Sequence, residues 1–284
     1  MPRTQDHTDN APRSSKRLVG WFRWYLRRYL RKGFHSICLA KDRPLRADAD
    51  APLIVYLNHA SWWDPLVAIH LSGVATPDRT LYAPFDAEAL SRYPIFEELG
   101  FFGVDLTSRR GAAQFLRSAR AALSQQGGSL WMTPEGRFVD PRESNAEFQP
   151  GLAHLAHDLA RTGTPSTLAP LAVEYPFWEE RLPEALCCWG EPIHPIDHPD
   201  LDKAAWNELL TSGLRDTQQQ LAQLSLARDP ATFDVLLGGK EGVGGLYETV
   251  RRLEARLTGR EYRAAHGEKL RDETSSTEGL KPLP

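Results

Sequence analysis

From residue 53 onward the chain alternates short apolar runs with amphipathic stretches. Leu53-Ile54-Val55-Tyr56-Leu57 is unbroken by polar residues and rich in β-formers, the pattern of a strand buried on both faces. Similar runs at 80–83, 101–106, 129–132, 168–173 and 186–189 read as strands. Between them, 65–71, 111–124 and 151–161 read as helices. Strands alternating with helices predict βαβ units, hence an α/β fold with a central, mostly parallel sheet flanked by helices. Gly127-Gly128 and residues 162–165 are the clearest breaks. Upstream, Leu18, Trp21, Phe22, Tyr25, Leu26 and Tyr29 recur at helical spacing on one face. Arg23, Arg27 and Arg31 line the opposite face, with Arg28 and Lys32 at the margins of the stripe. Downstream, about 201–226 reads as a polar helix with Gln218, Gln219 and Gln220 on its exposed side. The glycines of 238–245 lack the spacing of a phosphate-cradling loop and read as a link before a short basic helix at 246–257. The organisation expected is a polar, disordered lead and basic amphipathic helix over 1–44, then a single α/β domain over 45–200. A helical extension over 201–267 and a disordered tail over 268–284 follow.

Charge adds a partner to this picture. The net charge is only −3, but residues 1–46 hold 12 Lys and Arg against 3 Asp and Glu, a net of +9, leaving −12 for the rest. A basic arm on an acidic body points to an anionic partner. A basic amphipathic helix with interfacial aromatics fits a membrane surface bearing anionic lipid. Docking of the same stripe on the protein body is the competing account. Nucleic acid is not expected, because the aromatics face away from the basic row. No run of 18 apolar residues predicts a transmembrane helix, and no signal-peptide core is visible. Three cysteines, two of them adjacent at 187 and 188, argue for a reducing compartment over a disulfide framework. The expected location is therefore peripheral or monotopic, on the cytoplasmic side of a membrane. Nothing in the chain speaks to oligomeric state.

The chemistry concentrates after the 53–57 strand, in Asn58-His59-Ala60-Ser61-Trp62-Trp63-Asp64-Pro65. Reactive groups in α/β folds sit at the carboxyl ends of strands. His59 can accept a proton near neutral pH, and Asp64 can hold its other ring nitrogen. Asp64-Pro65 also fits an ordinary helix start, Asp as cap and Pro at the first helical position. His154 and His157 share a helix face, but no further ligands complete a metal site, and none is expected. Cys188 has no activating base in the sequence.

Four blocks in order resemble the glycerolipid acyltransferases, the family of lysophosphatidic acid acyltransferases. They are Asn58-His59 with Asp64, the 103–109 stretch ending in Arg109, Thr133-Pro134-Glu135-Gly136-Arg137-Phe138, and 169–173. The family usually has hydrophobic residues where Asp105 and Thr107 stand, and its third-block arginine comes one place later, where Phe138 stands. The resemblance implies a single catalytic domain with His59 as general base and Asp64 as its orienting partner. It implies that Arg109 and Arg137 bind the acceptor's phosphate; beside them, Glu135 is placed to hold Arg109 or Arg137, and Gly136 to let backbone N–H groups come close to the ligand. It implies acyl transfer from acyl-CoA or acyl-carrier protein, a co-substrate and not a cofactor, to a hydroxyl of a membrane lipid such as lysophosphatidic acid. A hydrolase using the same His-Asp pair, and a non-catalytic membrane-binding module, are the alternatives.

Overall fold

The computed structural model describes residues 12–105, 108–143 and 145–239. Eight strands form one sheet: β1 (Ser36–Ala40), β2 (Leu53–Leu57), β3 (Thr80–Asp86), β4 (Phe101–Val104), β5 (Gly128–Met132), β6 (Thr167–Glu174), β7 (Glu184–Trp189) and β8 (Phe233–Gly238). Their order is β4-β3-β5-β2-β6-β7-β1-β8. Only β6–β7 and β1–β8 are antiparallel, so the α/β class with a mostly parallel sheet is as the alternating pattern predicts.

Among the described residues six α-helices flank the sheet: α1 (Lys16–Gly33), α2 (Asp64–Ala75), α3 (Ala87–Arg92), α4 (Arg109–Leu123), α5 (Gly151–Arg161) and α6 (Lys203–Ala227). The period of two along β2 divides the core between the two faces. Leu53, Val55 and Leu57 pack with Leu26 and Leu30 of α1 and Val67 and Leu71 of α2. Ile54 and Tyr56 pack with Phe115 of α4, Leu155 of α5 and Leu214 of α6. With helices on both faces, every β2 side chain is buried, which explains the unbroken apolar run.

The structure differs from the sequence pattern in several places, beginning with the short helix α3, which the pattern did not reveal. β1 and β8 are strands that the pattern did not reveal. β1 follows α1 after two residues with no turn signal, and β8 is an edge strand whose side chains are half exposed. The stripe of α1 is not one surface. Leu26 and Leu30 are buried against α2 and the sheet, and Leu18, Val19 and Phe22 pack partly against the same core. Trp21, Trp24, Tyr25 and Tyr29 remain exposed. The close seat of α1 shows at Gly33, where a Cβ would lie 2.7 Å from the Trp63 ring. Finally, Gln218 is buried, not on the exposed side of α6. The short basic helix at 246–257 and the tail at 268–284 lie outside the described residues, as does most of the polar lead.

Candidate active site

The carboxyl end of β2 is held by a side chain. The β2–β6 ladder ends at Leu57↔Leu171, and the Asn58 amide continues it. Asn58 Nδ2 donates to the Val173 carbonyl (3.0 Å), and the Val173 N–H donates to Asn58 Oδ1 (2.8 Å). The backbone is thereby free to turn at His59 while its approach stays anchored. The His59 carbonyl accepts from Val139 N–H (2.8 Å), and its own N–H donates to Glu135 Oε2 (2.7 Å). Both partners lie on the chain that follows β5.

His59 Nδ1 sits 2.8 Å from Asp64 Oδ2. A carboxylate partner assigns the proton to Nδ1, leaving Nε2 as the basic nitrogen. Asp64 is completely buried and is the first residue of α2, with Trp63 as the cap, so its carboxylate is turned back toward His59. Oδ2 also accepts from Ser61 N–H (2.8 Å), and Oδ1 accepts from the Tyr175 hydroxyl (2.6 Å). The helix N-terminus adds further favourable potential for a negative charge there. Burial first, and then the Asp64 charge and hydrogen bond, hold the Tyr175 phenol well above its ordinary range, so it remains a donor.

Glu135 and Gly136 are brought to the same place. Glu135 is buried, and its Oε1 lies 3.1 Å from Arg215 Nη2 of α6. Gly136 has φ 65°, the left-handed region, and turns the chain with its N–H on the Thr133 carbonyl. Arg137 points outward, exposed and ion-paired with Glu143 (2.7 Å). Phe138 follows it with its ring centroid 4.4 Å from that of His59, and it is 57% exposed. Arg109 opens α4 after the end of β4, and its side chain lies outside the described residues. Thus His59, Asp64, Glu135 and Gly136 converge, whereas Arg137 is directed to solvent. Tyr175 and Arg215 are the residues that sequence reasoning missed, along with the Val173 partner of Asn58. Nothing local marks them, since each acts on a partner far along the chain.

A cavity of about 270 Å³ opens beside His59 and runs between α2 and strands β2 to β5. His59, Asp64, Thr133 and Gly136 stand at one part of it, while Leu57, Ala68, Ile69, Leu81, Phe101 and Trp131 make the wall apolar. Among the described residues, no group of three or more His, Cys, Asp or Glu is placed to hold a metal. Burial pushes the Cys188 thiol up to about 11, which makes it a poor nucleophile near neutral pH.

Residues 37–174 match the family model described as Acyltransferase. This segment, just under half of the chain, is an acyltransferase-family domain. The matched segment runs from β1 to the end of β6 and contains the His59–Asp64 pair, Glu135 and Gly136, while Arg215 lies beyond it. The acyltransferase is also similar to the crystal structure of the 1-acyl-sn-glycerophosphate (LPA) acyltransferase PlsC from Thermotoga maritima. Identity is 13% and the TM-score 0.47, over 73% of this chain and 79% of that chain. No curated protein matches the chain significantly.

Proposed function

We propose that this acyltransferase moves a fatty acyl group from a thioester, acyl-CoA or acyl-carrier protein, to a hydroxyl of a lysophospholipid such as lysophosphatidic acid. The observation that carries this is the buried Asp64 on His59 Nδ1, which directs the opposite nitrogen to an apolar cavity that suits an acyl chain. His59 Nε2 takes the proton from the acceptor hydroxyl as its oxygen attacks the thioester carbonyl. Asp64 stabilises the imidazolium that forms. The tetrahedral intermediate then collapses, the C–S bond breaks, and the thiolate takes the proton back from His59. Ester and thiol are the products, with no acyl-enzyme.

Two features favour a lipid acceptor at a membrane. Trp21 and Trp24 of α1 are 54% and 60% exposed, Trp24 with Arg28 over its ring, and Trp62 is exposed on the catalytic loop itself. Aromatic rings next to cationic side chains suit the headgroup layer of an anionic membrane. No helix among the described residues is long and apolar enough to cross a membrane, so surface attachment is proposed, on the face where acyl-CoA and carrier protein are made available. The Arg137–Glu143 pair is exposed and open to competition from solvent ions, so an acceptor phosphate can exchange for Glu143.

The test is acyl transfer to lysolipids in vesicles, read by mass spectrometry, with wild type and His59→Ala. Loss of general-base catalysis lowers turnover by about 10²–10⁴-fold. The variant also removes one of the donors to buried Asp64, so some thermal stability is lost, but Ser61 and Tyr175 still hold the carboxylate and the fold is expected to persist. A folded His59→Ala protein with wild-type turnover would sink the mechanism. Acyl release without any lipid acceptor would make the protein a hydrolase instead.

A further inference from the structure

We infer that Arg215 of α6 is a positioning residue for the catalytic loop, acting through Glu135; this rests on the acyl-transfer role proposed for His59. The Glu135 side chain is 1% exposed, and its two oxygens have different duties. Oε2 receives the His59 N–H at 2.7 Å. Oε1 faces Arg215 Nη2 at 3.1 Å, as an ion pair whose angle falls short of a hydrogen bond. That Nη2 spends its hydrogen bond on the Ala146 carbonyl (2.9 Å), and Nη1 donates to Gln218 Oε1 (2.6 Å). The guanidinium also lies over the Phe148 ring, 5.9 Å from its centroid.

The arrangement is a clamp in two stages. The chain after β5 grips both backbone groups of His59, through Glu135 and Val139. Arg215 grips that chain at two points, Glu135 and Ala146, both through Nη2, while Nη1 holds the planar guanidinium in place on Gln218 of the same helix. It also supplies the counter-charge without which a buried carboxylate would be costly. Arg215 touches no part of the cavity, so its effect reaches the reaction only through where His59 stands. Because it lies beyond the family-matched residues 37–174, α6 adds a catalytic dependency outside the matched segment.

The experiment compares Arg215→Met, Arg215→Lys and Arg215→Met with Glu135→Gln. Two quantities are measured: steady-state kinetics, and hydrogen exchange of the His59 amide by NMR without substrate. Arg215→Met is expected to lower kcat by about tenfold or more, with both KM values within about twofold, since ground-state binding surfaces are untouched. The His59 amide should exchange about tenfold faster or more, while the Val55 and Leu168 amides of the sheet stay protected. In the double variant, a neutral amide oxygen accepts the His59 N–H with no need of a cation. Exchange protection and kcat should therefore recover relative to Arg215→Met. Arg215→Lys keeps the charge but loses the Nη1 bond to Gln218 that orients the group, and should fall between wild type and Arg215→Met. A folded Arg215→Met protein with wild-type kcat and wild-type His59 exchange overturns the inference, as does a double variant no better than the single. If Arg215→Met does not fold, the other two variants carry the test, and an unprotected His59 amide in both overturns it. Absence of acyl transfer by wild type would refute the functional proposal instead, and the exchange measurement would still decide the role of Arg215.

Discussion

Asp64 accepts three hydrogen bonds, from His59, Ser61 and Tyr175, and is wholly buried. In such a setting each donor matters, because a lost one leaves a buried carboxylate oxygen unmatched. Tyr175→Phe removes one donor and keeps the ring packed on Phe34. A hydrogen bond to a charged group is worth about 1.5–3 kcal/mol. Steady-state kinetics should therefore show a fall in kcat/KM of roughly ten- to a hundredfold. Unchanged kcat/KM would mean that Asp64 is held adequately by Ser61 and His59 alone. His59 and Asp64 were legible in the sequence because they lie five residues apart on one turn. Tyr175 and the Val173 partner of Asn58 were not, because the sheet brings them in from more than a hundred residues away.

At the scale of elements, the contact of α1 with α2 leaves a titration signature. His70 of α2 is 4% exposed, and its ring is pushed down to about 4, by burial first and then by the charges of Arg27, Arg23 and Arg31 on α1. Arg23 also bonds Ser72 Oγ of α2. The folded protein keeps His70 neutral, while the unfolded chain takes up a proton below the ordinary value of 6.5. Below that pH the unfolded state binds more protons, so stability falls as pH drops from about 6.5 toward 4, by at most about 3 kcal/mol. Thermal unfolding of wild type and His70→Gln between pH 7.5 and 4.5 checks this. The wild type should lose more Tm than the variant, and equal losses would contradict it. The period of α1 was legible in the sequence, but the environment of its stripe was not. An apolar face docks on lipid or on protein with the same spacing, and here Leu26 and Leu30 chose protein.

Across the whole molecule, the chain beyond the family-matched segment is built into the same core. Trp206, Leu210, Leu214 and Leu221 of α6 are completely buried on the sheet, and β8 pairs with β1 to extend its edge. Removing everything after residue 200 should therefore leave a chain that does not fold, as judged by loss of cooperative unfolding. Leu214→Ala in the intact chain should cost about 2–5 kcal/mol in a denaturant titration. A truncated protein that unfolds cooperatively would show α6 to be dispensable. The alternation from 53 to 189 was legible because both sheet faces are covered there. The two ends were not, since β1 and β8 meet only through a pairing that spans nearly 200 residues.

Asn58 carries a consequence in time rather than in energy. Asparagine ages by deamidation, when the backbone nitrogen of the next residue attacks the side-chain carbonyl carbon. Here that nitrogen belongs to His59 and is committed to Glu135, while the amide is fixed at both ends on Val173. Ring closure needs both sets of bonds to open together. Conversion to aspartate would place a carboxylate against the Val173 carbonyl and could not be reversed by refolding. On prolonged storage, mass spectrometry of the Asn58 peptide should show deamidation far slower in folded protein than in the unfolded chain. The catalytic loop ages only as fast as it opens.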